Sequence, residues 1–404
     1  MPEDKKITIL FLIDHFRFVG GTENHLVRLV KGLDPERFSA LVVGFDVKKF
    51  SLIDELEASG VKVAHIPVGR FYNWDAIRKG RILSRLIKEN HVDIVQTYHV
   101  KSDTYGSLVA RWAGVRRIVS SKRDRGHSKT RFHFWLNRLV NPLVSGFIVV
   151  SDAVKQVIEE KEGVSSGNIT TIYNGVDSGK FHPPDRAAYA ARRAELGIRE
   201  SDIVLGSVAW FRPEKGHEIL FRTIERIHLS IPRLRFIVVG DGPLKNRYTD
   251  FAREKGFLHK MILPGAIEDV RGHLQAMDIA CLVSESEGFS NAVLEKMATG
   301  LPMIVTDVGG NAEAVINGYN GVVIPPGNVD ALAEAIRDLV DHPSKREEMG
   351  RRSRQRVEEV FSVRKMVRSH ETYYENLMAH PQKGGHAAWK VIKRVQHGIR
   401  GILG

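Results

Sequence analysis

The sequence is poor in cysteine and has no long apolar run. Its only cysteine, Cys281, cannot form an internal disulfide, and this favours a reducing compartment such as the cytoplasm. No apolar stretch approaches the roughly 18 residues that a membrane-spanning helix needs. The short apolar run after Lys6 is not followed by a small-residue cleavage site. It therefore predicts a buried first strand and not a signal peptide.

Acidic residues are also in deficit. The 404 residues include 60 Lys and Arg against 48 Asp and Glu, so the net charge is +12, and the pI is about 9.6. Such an excess indicates an anionic partner, which could be a nucleotide, an acidic glycan, a phospholipid surface or a nucleic acid. The length suits two domains of ordinary size, and a hydrophobic content of 43% suits substantial cores.

Continuous apolar runs alternate with amphipathic helical segments along most of the chain. This alternation predicts an α/β fold with parallel strands, because strands that are buried on both faces read as unbroken Val, Ile and Leu runs. A Pro-Pro pair at 183–184 indicates a domain boundary. The predicted organisation is an N-terminal domain over 1–180, a C-terminal domain over 181–360, a final helix over 361–380 and a basic amphipathic tail over 381–404.

Two glutamates stand eight residues apart in a predicted strand–loop–helix–strand unit over 279–306. Glu287 follows a short apolar run, and Glu295 lies about two turns into the next helix. At about 100° per residue the two positions return to nearly the same face, and ligands gather at the carboxyl ends of parallel strands. Both carboxylates are therefore candidates for one binding site. The alternative is that Glu295 only solvates a helix face and that Glu287 caps its start.

Two cations follow the first predicted strand of the C-terminal half. Arg212 and Lys215 stand three residues apart, shortly after the apolar run 204–208. An Arg fork and a Lys point charge can together hold a diphosphate without a metal ion. No Asp-x-Asp pair stands in a suitable loop, so the pattern does not call for a metal. The alternative is that both cations only decorate the surface.

Glycines and a histidine follow other predicted strands. Gly20 and Gly21 separate the first strand from the first helix, and Gly240 follows the strand over 235–239. Glycine lets backbone amides approach a phosphate or a sugar, although a simple tight turn also explains each position. The Gly20–Gly21 loop is not a full dinucleotide fingerprint, which argues against a nicotinamide enzyme. His99, at the end of another strand, is either a site residue or a loop or packing residue.

These motifs stand in the order of the family 4 retaining glycosyltransferases, which the chain resembles over about residues 1–379. The matching strings are Gly-Gly-Thr-Glu at 20–23, Arg-Pro-Glu-Lys-Gly at 212–216, and Glu, seven residues and Glu from Glu287, with Gly-Leu-Pro and then Gly309-Gly310 downstream. The resemblance implies two Rossmann-like α/β domains facing an interdomain cleft, the arrangement called GT-B.

The chain departs from the family at two places. Trp210-Phe211 stands where a Gly-Arg-Leu type sequence is common, and Lys296 stands where Ala is common. Neither departure removes a candidate catalytic group.

The resemblance also implies a role for each residue. Glu287 faces the transferred sugar, Glu295 faces the ribose of the donor, and His99 contacts the reacting sugar. Arg212 and Lys215 stabilise the departing diphosphate, and the glycine loop brings amides near the phosphates or the acceptor. The implied catalytic residues are Glu287, His99, Arg212 and Lys215. The implied donor-binding residues are Gly20, Gly21, Arg212, Lys215, Gly240, Ile267, Glu287, Gly288, Phe289, Ser290, Asn291 and Glu295.

Two basic segments lie outside these motifs. Residues 116–138 combine eight Lys and Arg with Phe132, Phe134 and Trp135, and form either a solvated surface or a rim for an anionic or lipid-linked acceptor. In residues 389–403 apolar and basic side chains take opposite helical arcs. That pattern predicts a helix in an anionic membrane surface, or else a tail that is disordered or docks on the protein. A nucleic-acid partner is not expected, because no recognisable binding module accompanies the charge.

The predicted function is a retaining glycosyltransferase of hexosyltransferase type. It would move a sugar from a nucleotide donor, with uridine diphosphate as carrier, to a hydroxyl of a glycan or lipid-linked acceptor, as in polysaccharide or lipopolysaccharide biosynthesis. The prediction includes no metal and no cofactor, because the nucleotide sugar is a substrate. The expected location is the cytoplasm, including the inner face of the cell membrane.

Two alternatives remain open. A nucleotide-sugar epimerase of the same fold would convert the donor with no acceptor present. A basic surface-binding protein would keep the fold without catalysis, although the intact set of Arg212, Lys215, Glu287 and Glu295 argues against it.

Overall fold

The chain folds into two compact α/β units. The computed structural model describes residues 5–17, 20–48, 51–69, 73–126 and 130–380. One unit contains the described residues within 1–173 and 363–404, and the other is Asn174–Ser362. The domain boundaries predicted from the sequence were 180/181 and 360/361. Each unit is built on one parallel sheet, so the predicted α/β fold with two Rossmann-like domains is confirmed.

The first unit has a seven-stranded parallel sheet in the order β3-β2-β1-β4-β5-β6-β7. Its strands are β1 Ile7–Ile13, β2 Phe38–Gly44, β3 Lys62–His65, β4 Ile94–Tyr98, β5 Arg117–Lys122, β6 Gly146–Val149 and β7 Ile169–Thr171. Its helices are α1 Gly21–Gly32, α2 Ser51–Ala58, α3 Trp74–Glu89, α4 His99–Lys101, α5 Ser107–Ala113, α6 Arg131–Val140 and α7 Asp152–Glu162, with a π-helical turn Ser102–Gly106 before α5. The register of the β1–β2 pair starts at Ile7 opposite Phe38.

Alternate residues of β1 serve two different cores. Ile9 and Phe11 belong to a core with α1 and α2, whereas Leu10 and Leu12 belong to a core with α3 and α5. Because successive side chains of a strand point to opposite faces, the helices form one layer on each side of the sheet. The unbroken apolar sequence of β1 follows from this double burial.

The second unit has a six-stranded parallel sheet in the order β10-β9-β8-β11-β12-β13. Its strands are β8 Ile203–Val208, β9 Leu234–Val239, β10 Met261–Gly265, β11 Ile279–Leu282, β12 Met303–Thr306 and β13 Gly321–Ile324. Its helices are α8 Arg186–Glu195, α9 His217–Ile227, α10 Lys245–Glu254, α11 Arg271–Gln275, α12 Asn291–Ala298, α13 Asn311–Ala314, α14 Val329–Asp341 and α15 Pro343–Val360.

The last described helix, α16 Val363–Ala379, belongs to the first unit. Val367 and Tyr374 are part of the core that α1 and α2 share, and the Tyr374 hydroxyl donates to Gln96 Oε1 at 2.7 Å. None of the described helices is long and apolar enough to cross a lipid bilayer. The basic amphipathic segment 389–403 lies outside the described residues, so its predicted helix stays a prediction.

Both sheets contain a switch point at which the chain reverses its direction of travel across the strands. In the first sheet this point lies between β1 and β4, and in the second between β8 and β11. Ligands of open α/β sheets bind at the carboxyl ends of the strands at such points. The loops that leave these four strands carry Gly20–Gly21, His99, Lys215 and Glu287.

Candidate functional site

Glu287 lies at the switch point of the second sheet, in the loop between β11 and α12. Its Oε1 accepts hydrogen bonds from Lys215 Nζ and from Ser284 Oγ, each at 2.7 Å. The Glu287 side chain is 9% exposed and the Lys215 side chain 26%. Thr306 Oγ1 in turn donates to the backbone oxygen of Ser284 at 2.6 Å. A nearly buried carboxylate is thus held by a cation that still reaches solvent.

The loop after β8 brings Lys215 to this carboxylate. Residues Pro213–Lys215 form a short 3-10 turn, and Gly216 follows with φ of 67°. A Cβ on Gly216 would lie 1.9 Å from the backbone oxygen of Val283, at the end of β11. Only glycine allows this close approach, because the left-handed backbone disfavours other residues and no space remains for a side chain.

Arg212 lies at the exposed end of the same loop. Its guanidinium lies 5.6 Å from the ring centre of Trp210, and it donates no hydrogen bond to any described residue. The structure therefore joins Lys215 directly to Glu287, whereas the five N–H donors of the Arg212 guanidinium have no hydrogen-bond partner among the described residues.

The loop after β12 supports Glu287 from another direction. Gly309 has φ of 55°, and a Cβ there would lie 1.9 Å from the backbone oxygen of Glu287. The Gly310 amide donates to the backbone oxygen of Gly288 at 2.8 Å. Sequence reasoning included Gly309 and Gly310 in the motif but gave them no role, and it missed Ser284. The Gly-Gly pair was the available signal, whereas nothing marked Ser284 as a partner of Glu287.

The other predicted donor-binding residues lie in different surroundings. Phe289 is buried, and its ring packs on Phe361 with a centroid distance of 5.4 Å. Gly240 has φ of 147°, and a Cβ there would lie 2.0 Å from the backbone oxygen of Ala209, so close chain packing accounts for this glycine. Ile267 is half-buried after β10. Ser290 and Asn291 begin α12, and Glu295 lies half-buried further along it.

The two departures from the family pattern have structural partners. Lys296 is fully buried on α12, its Nζ donates to the backbone oxygen of Cys281 at 3.1 Å, and burial lowers its pKa to about 8. The ring of Phe211 stacks on His217 at 4.1 Å and 19°. Burial lowers the pKa of His217 to about 4, so this ring is neutral at physiological pH.

In the first unit the structure brings the Gly20 loop and His99 together through His15. Gly20 caps α1 and Gly21 begins it, so the positive end of this helix lies at the switch point. His15 Nδ1 lies 3.2 Å from Oε1 of the buried Glu23, and this hydrogen bond raises the pKa of His15. The ring of His15 stacks on His99 at 4.6 Å. Sequence reasoning missed His15.

His99 has an unusual backbone. Its φ is 72°, a left-handed value that residues other than glycine rarely adopt. Asp14 holds the turn that follows, because its carboxylate accepts from the amides of Lys101 and Ser102 at 2.8 and 2.6 Å. Burial lowers the pKa of His99, and its Nδ1 has no hydrogen-bond partner among the described residues. Non-glycine strain of this kind is concentrated at functional sites.

The predicted residues thus divide between the two units, and those that follow the switch-point strands are Gly20, Gly21 and His99 in the first sheet and Arg212, Lys215 and the loop from Glu287 in the second. Gly20, Gly21 and His99 belong to the first unit, and the remaining predicted residues belong to the second. Among the described residues, no three His, Cys, Asp or Glu side chains are grouped so that they could hold a metal ion.

Comparison with known proteins assigns this fold and these groups to a family. The model of Glycosyltransferase Family 4 matches residues 19–180, and the model of Glycosyl transferases group 1 matches residues 189–356. Both units are therefore accounted for, and the chain belongs to the family 4 glycosyltransferases with the GT-B fold. The protein is therefore a glycosyltransferase.

Individual relatives agree with this family. The chain is 28% identical over 269 residues to the UDP-Gal:alpha-D-GlcNAc-diphosphoundecaprenol alpha-1,3-galactosyltransferase of Escherichia coli, covering 64% of this chain and 69% of the relative. It is 24% identical over 376 residues to an uncharacterised glycosyltransferase of Methanocaldococcus jannaschii, covering 90% and 96%. The crystal structure of Anabaena HepE in complex with UDP has a TM-score of 0.82 at 20% identity, covering 92% of this chain and all of HepE. That last likeness shows the fold alone.

Proposed function

We propose that this enzyme transfers a hexose from a UDP-sugar to a hydroxyl of a glycan or lipid-linked acceptor, with retention of the anomeric configuration and without a metal ion. The E. coli relative is named for UDP-galactose and a diphosphoundecaprenol-linked acceptor, and HepE was crystallised with UDP. These names support a uridine nucleotide as the donor carrier. Retention follows the resemblance to family 4.

The contact between Lys215 and Glu287 carries the proposal. An ammonium group has three N–H donors, and Lys215 uses one of them for Glu287 Oε1. The other two can bind a diphosphate, on which negative charge develops as the sugar departs. Arg212, whose guanidinium donates no hydrogen bond to the described residues, adds a bidentate donor for the same diphosphate. The helix α12, whose amino end follows directly, favours the same anion.

Glu287 acts on the sugar in this proposal. Its Oε1 already accepts two hydrogen bonds, whereas Oε2 accepts none from the described residues. Oε2 can therefore accept from a sugar hydroxyl while Lys215 holds the other oxygen in place. We assign to Glu295, His99 and the Gly20–Gly21 amides the roles that the family resemblance implies, and we propose no covalent nucleophile.

A thermal-shift panel of nucleoside diphosphates and nucleotide sugars tests the donor. A ligand that binds only the folded protein raises its stability by about 2.7 kcal/mol at 100 times its Kd. We expect UDP and one UDP-sugar to raise the Tm most, equally with and without EDTA. A larger rise in Tm with another nucleotide family would show that this nucleotide, and not uridine diphosphate, carries the sugar. Loss of the rise in EDTA would overturn the metal-free proposal. No shift with any nucleotide would favour the non-catalytic alternative.

A further inference from the structure

The first unit exposes its large apolar side chains on one side of its sheet. Helices α3 and α5 share a core with Leu10 and Leu12 of β1, and Leu108 of α5 packs on a small cluster formed by Val140 of α6 and Leu143, so the three helices belong to one layer. Six large apolar side chains are exposed in the described part of this unit, and all of them belong to this layer. They are Trp74, Ile77 and Ile82 on α3, Trp112 on α5, and Phe132 and Trp135 on α6.

The charges of the two layers differ in the same way. Helices α3, α5 and α6 contain eight Lys and Arg residues and two acidic residues. In the opposite layer, α1, α2 and α16 contain five Lys and Arg residues and six acidic residues, and they expose no large apolar side chain. In the first unit, the helices α3, α5 and α6 are therefore basic and expose apolar side chains, whereas the helices α1, α2 and α16 are balanced in charge.

Four of the eight cations on these three helices are free to meet an external anion. Arg81, Arg85, Lys88 and Arg131 form no ion pair with any described residue. Phe132 and Trp135 stack on each other at 5.9 Å instead of folding onto the core, and both are more than half exposed. Helix α7 packs on α6 and has four acidic residues against two lysines. The basic surface therefore ends at the boundary between α6 and α7.

We propose that the outer face of α3, α5 and α6 docks on the surface of a lipid bilayer that contains anionic phospholipid. Helices that lie in a membrane interface combine Lys and Arg with Trp, Phe and aliphatic side chains on one exposed surface. Trp side chains favour the headgroup level, and each Lys or Arg near an anionic leaflet adds attraction. This interaction goes beyond sugar transfer, and it involves residues that the donor proposal does not use.

The composition of the face favours a bilayer over other anionic or apolar partners. Ile77 and Ile82 can enter the acyl boundary but offer nothing to a nucleic acid, which is bound through phosphate contacts and base stacking. The buried centre of a protein–protein interface is depleted of charge. Here Arg78 and Arg81 instead directly adjoin the two isoleucines in the sequence.

Site-specific labelling of the full chain tests the orientation. The native Cys281 is fully buried, so a cysteine introduced on the surface is the reactive one. Ile82→Cys places an environment-sensitive fluorophore on the proposed face, and Ala58→Cys places the same fluorophore on exposed α2 of the opposite layer. With vesicles of phosphatidylglycerol and phosphatidylcholine, we expect a blue shift and quenching by nitroxide lipids at position 82 and neither at position 58. This readout does not depend on turnover or on binding through the tail.

Paired charge variants add a measure of strength. Arg81→Ser combined with Arg85→Ser should raise the anionic lipid needed for half-maximal response about tenfold or more. Arg364→Ser combined with Arg368→Ser removes two exposed arginines from the opposite layer. This pair should change the anionic lipid needed for half-maximal response far less.

Each other outcome overturns the proposal. An unchanged label at position 82 on vesicles that bind the protein would place the contact elsewhere, for example in the tail. Equal responses at positions 58 and 82, equal losses in the two arginine pairs, or no vesicle binding would also overturn it. A label at position 82 that responds to RNA or to another protein but not to vesicles would identify a different occupant.

Discussion

The contact between Lys215 and Glu287 predicts that two variants will separate donor binding from sugar transfer. In Glu287→Gln the amide oxygen can still accept from Ser284 Oγ and Lys215 Nζ, so the loop should keep its geometry. The charge of the ammonium, however, is no longer neutralised by a carboxylate, so its attraction for a diphosphate increases. We therefore expect the affinity for UDP to stay unchanged or to rise, while turnover falls by about 10²–10³ because the sugar loses its charged acceptor.

Lys215→Ala should have the opposite pattern for binding. A hydrogen bond to a charged group contributes about 1.5–3 kcal/mol, and about 1.4 kcal/mol corresponds to a factor of ten in Kd. The variant should therefore bind UDP about 10–100 times more weakly, with a loss of turnover as well. Because Glu287 would be left 9% exposed without its cation, some loss of stability is also expected.

Calorimetric titration with UDP and a turnover assay for UDP release measure the two effects. Glu285→Gln is the matched control, since this glutamate is two residues away and exposed, and only its backbone contacts Glu214. The reasoning would be refuted if Glu287→Gln lost UDP affinity and turnover together, or if Lys215→Ala bound UDP normally.

Three further predictions concern neighbouring residues. Gly216→Ala should lower the free energy of unfolding, measured by urea denaturation, by more than the about 1–2 kcal/mol that a left-handed alanine costs, because its Cβ would clash with the backbone oxygen of Val283. Gly256→Ala is the control, since it has a similar φ and open space around the new Cβ, and equal losses in the two variants would contradict the clash. Lys296→Met should abolish a pH dependence of the free energy of unfolding. The pKa of Lys296 in the folded protein, about 8, lies below the ordinary 10.5, so between these pH values the unfolded wild-type chain binds more protons than the folded one. Wild-type stability should then rise by up to about 3 kcal/mol as pH increases through that window, and an equal rise in the variant would exclude this source. Glu23→Gln should lower the pKa of His15 in an NMR titration. It should also remove a contribution to the free energy of unfolding that wild type has below pH about 6.5 and loses as pH rises through the folded pKa of His15. An unchanged His15 titration would exclude the His15–Glu23 pair.

Sequence patterns predicted most of the sheet strands because these strands are buried on both faces. Strands such as β1 and β11 have no polar residue to break their apolar runs, apart from the small Thr8. Helix α15 was missed for the opposite reason. Its 18 residues bury little more than Met349, Gly350, Ser353 and Val357, about one side chain per turn, and this narrow seam has almost no apolar periodicity.

The site was predictable in parts. The motif strings singled out Glu287 and Lys215, and the positions of both after parallel strands placed them at the edge of a sheet. Their direct contact joins residues 72 positions apart and depends on the order of β8 and β11, which spacing along the chain does not encode. The partnership of His15 with Glu23 and His99 was hidden for the same reason, since a lone histidine in a loop has no local signal.

The anomeric configuration of the transferred sugar is the most direct test of a retaining, metal-free sugar transfer. A proton NMR time course with a UDP-hexose, with and without EDTA, follows the donor, the released UDP and the configuration of the transferred or slowly hydrolysed sugar. We expect UDP release with the anomeric configuration of the donor retained and no effect of the chelator. An inverted product, or a donor sugar that is interconverted without release of UDP, would contradict it.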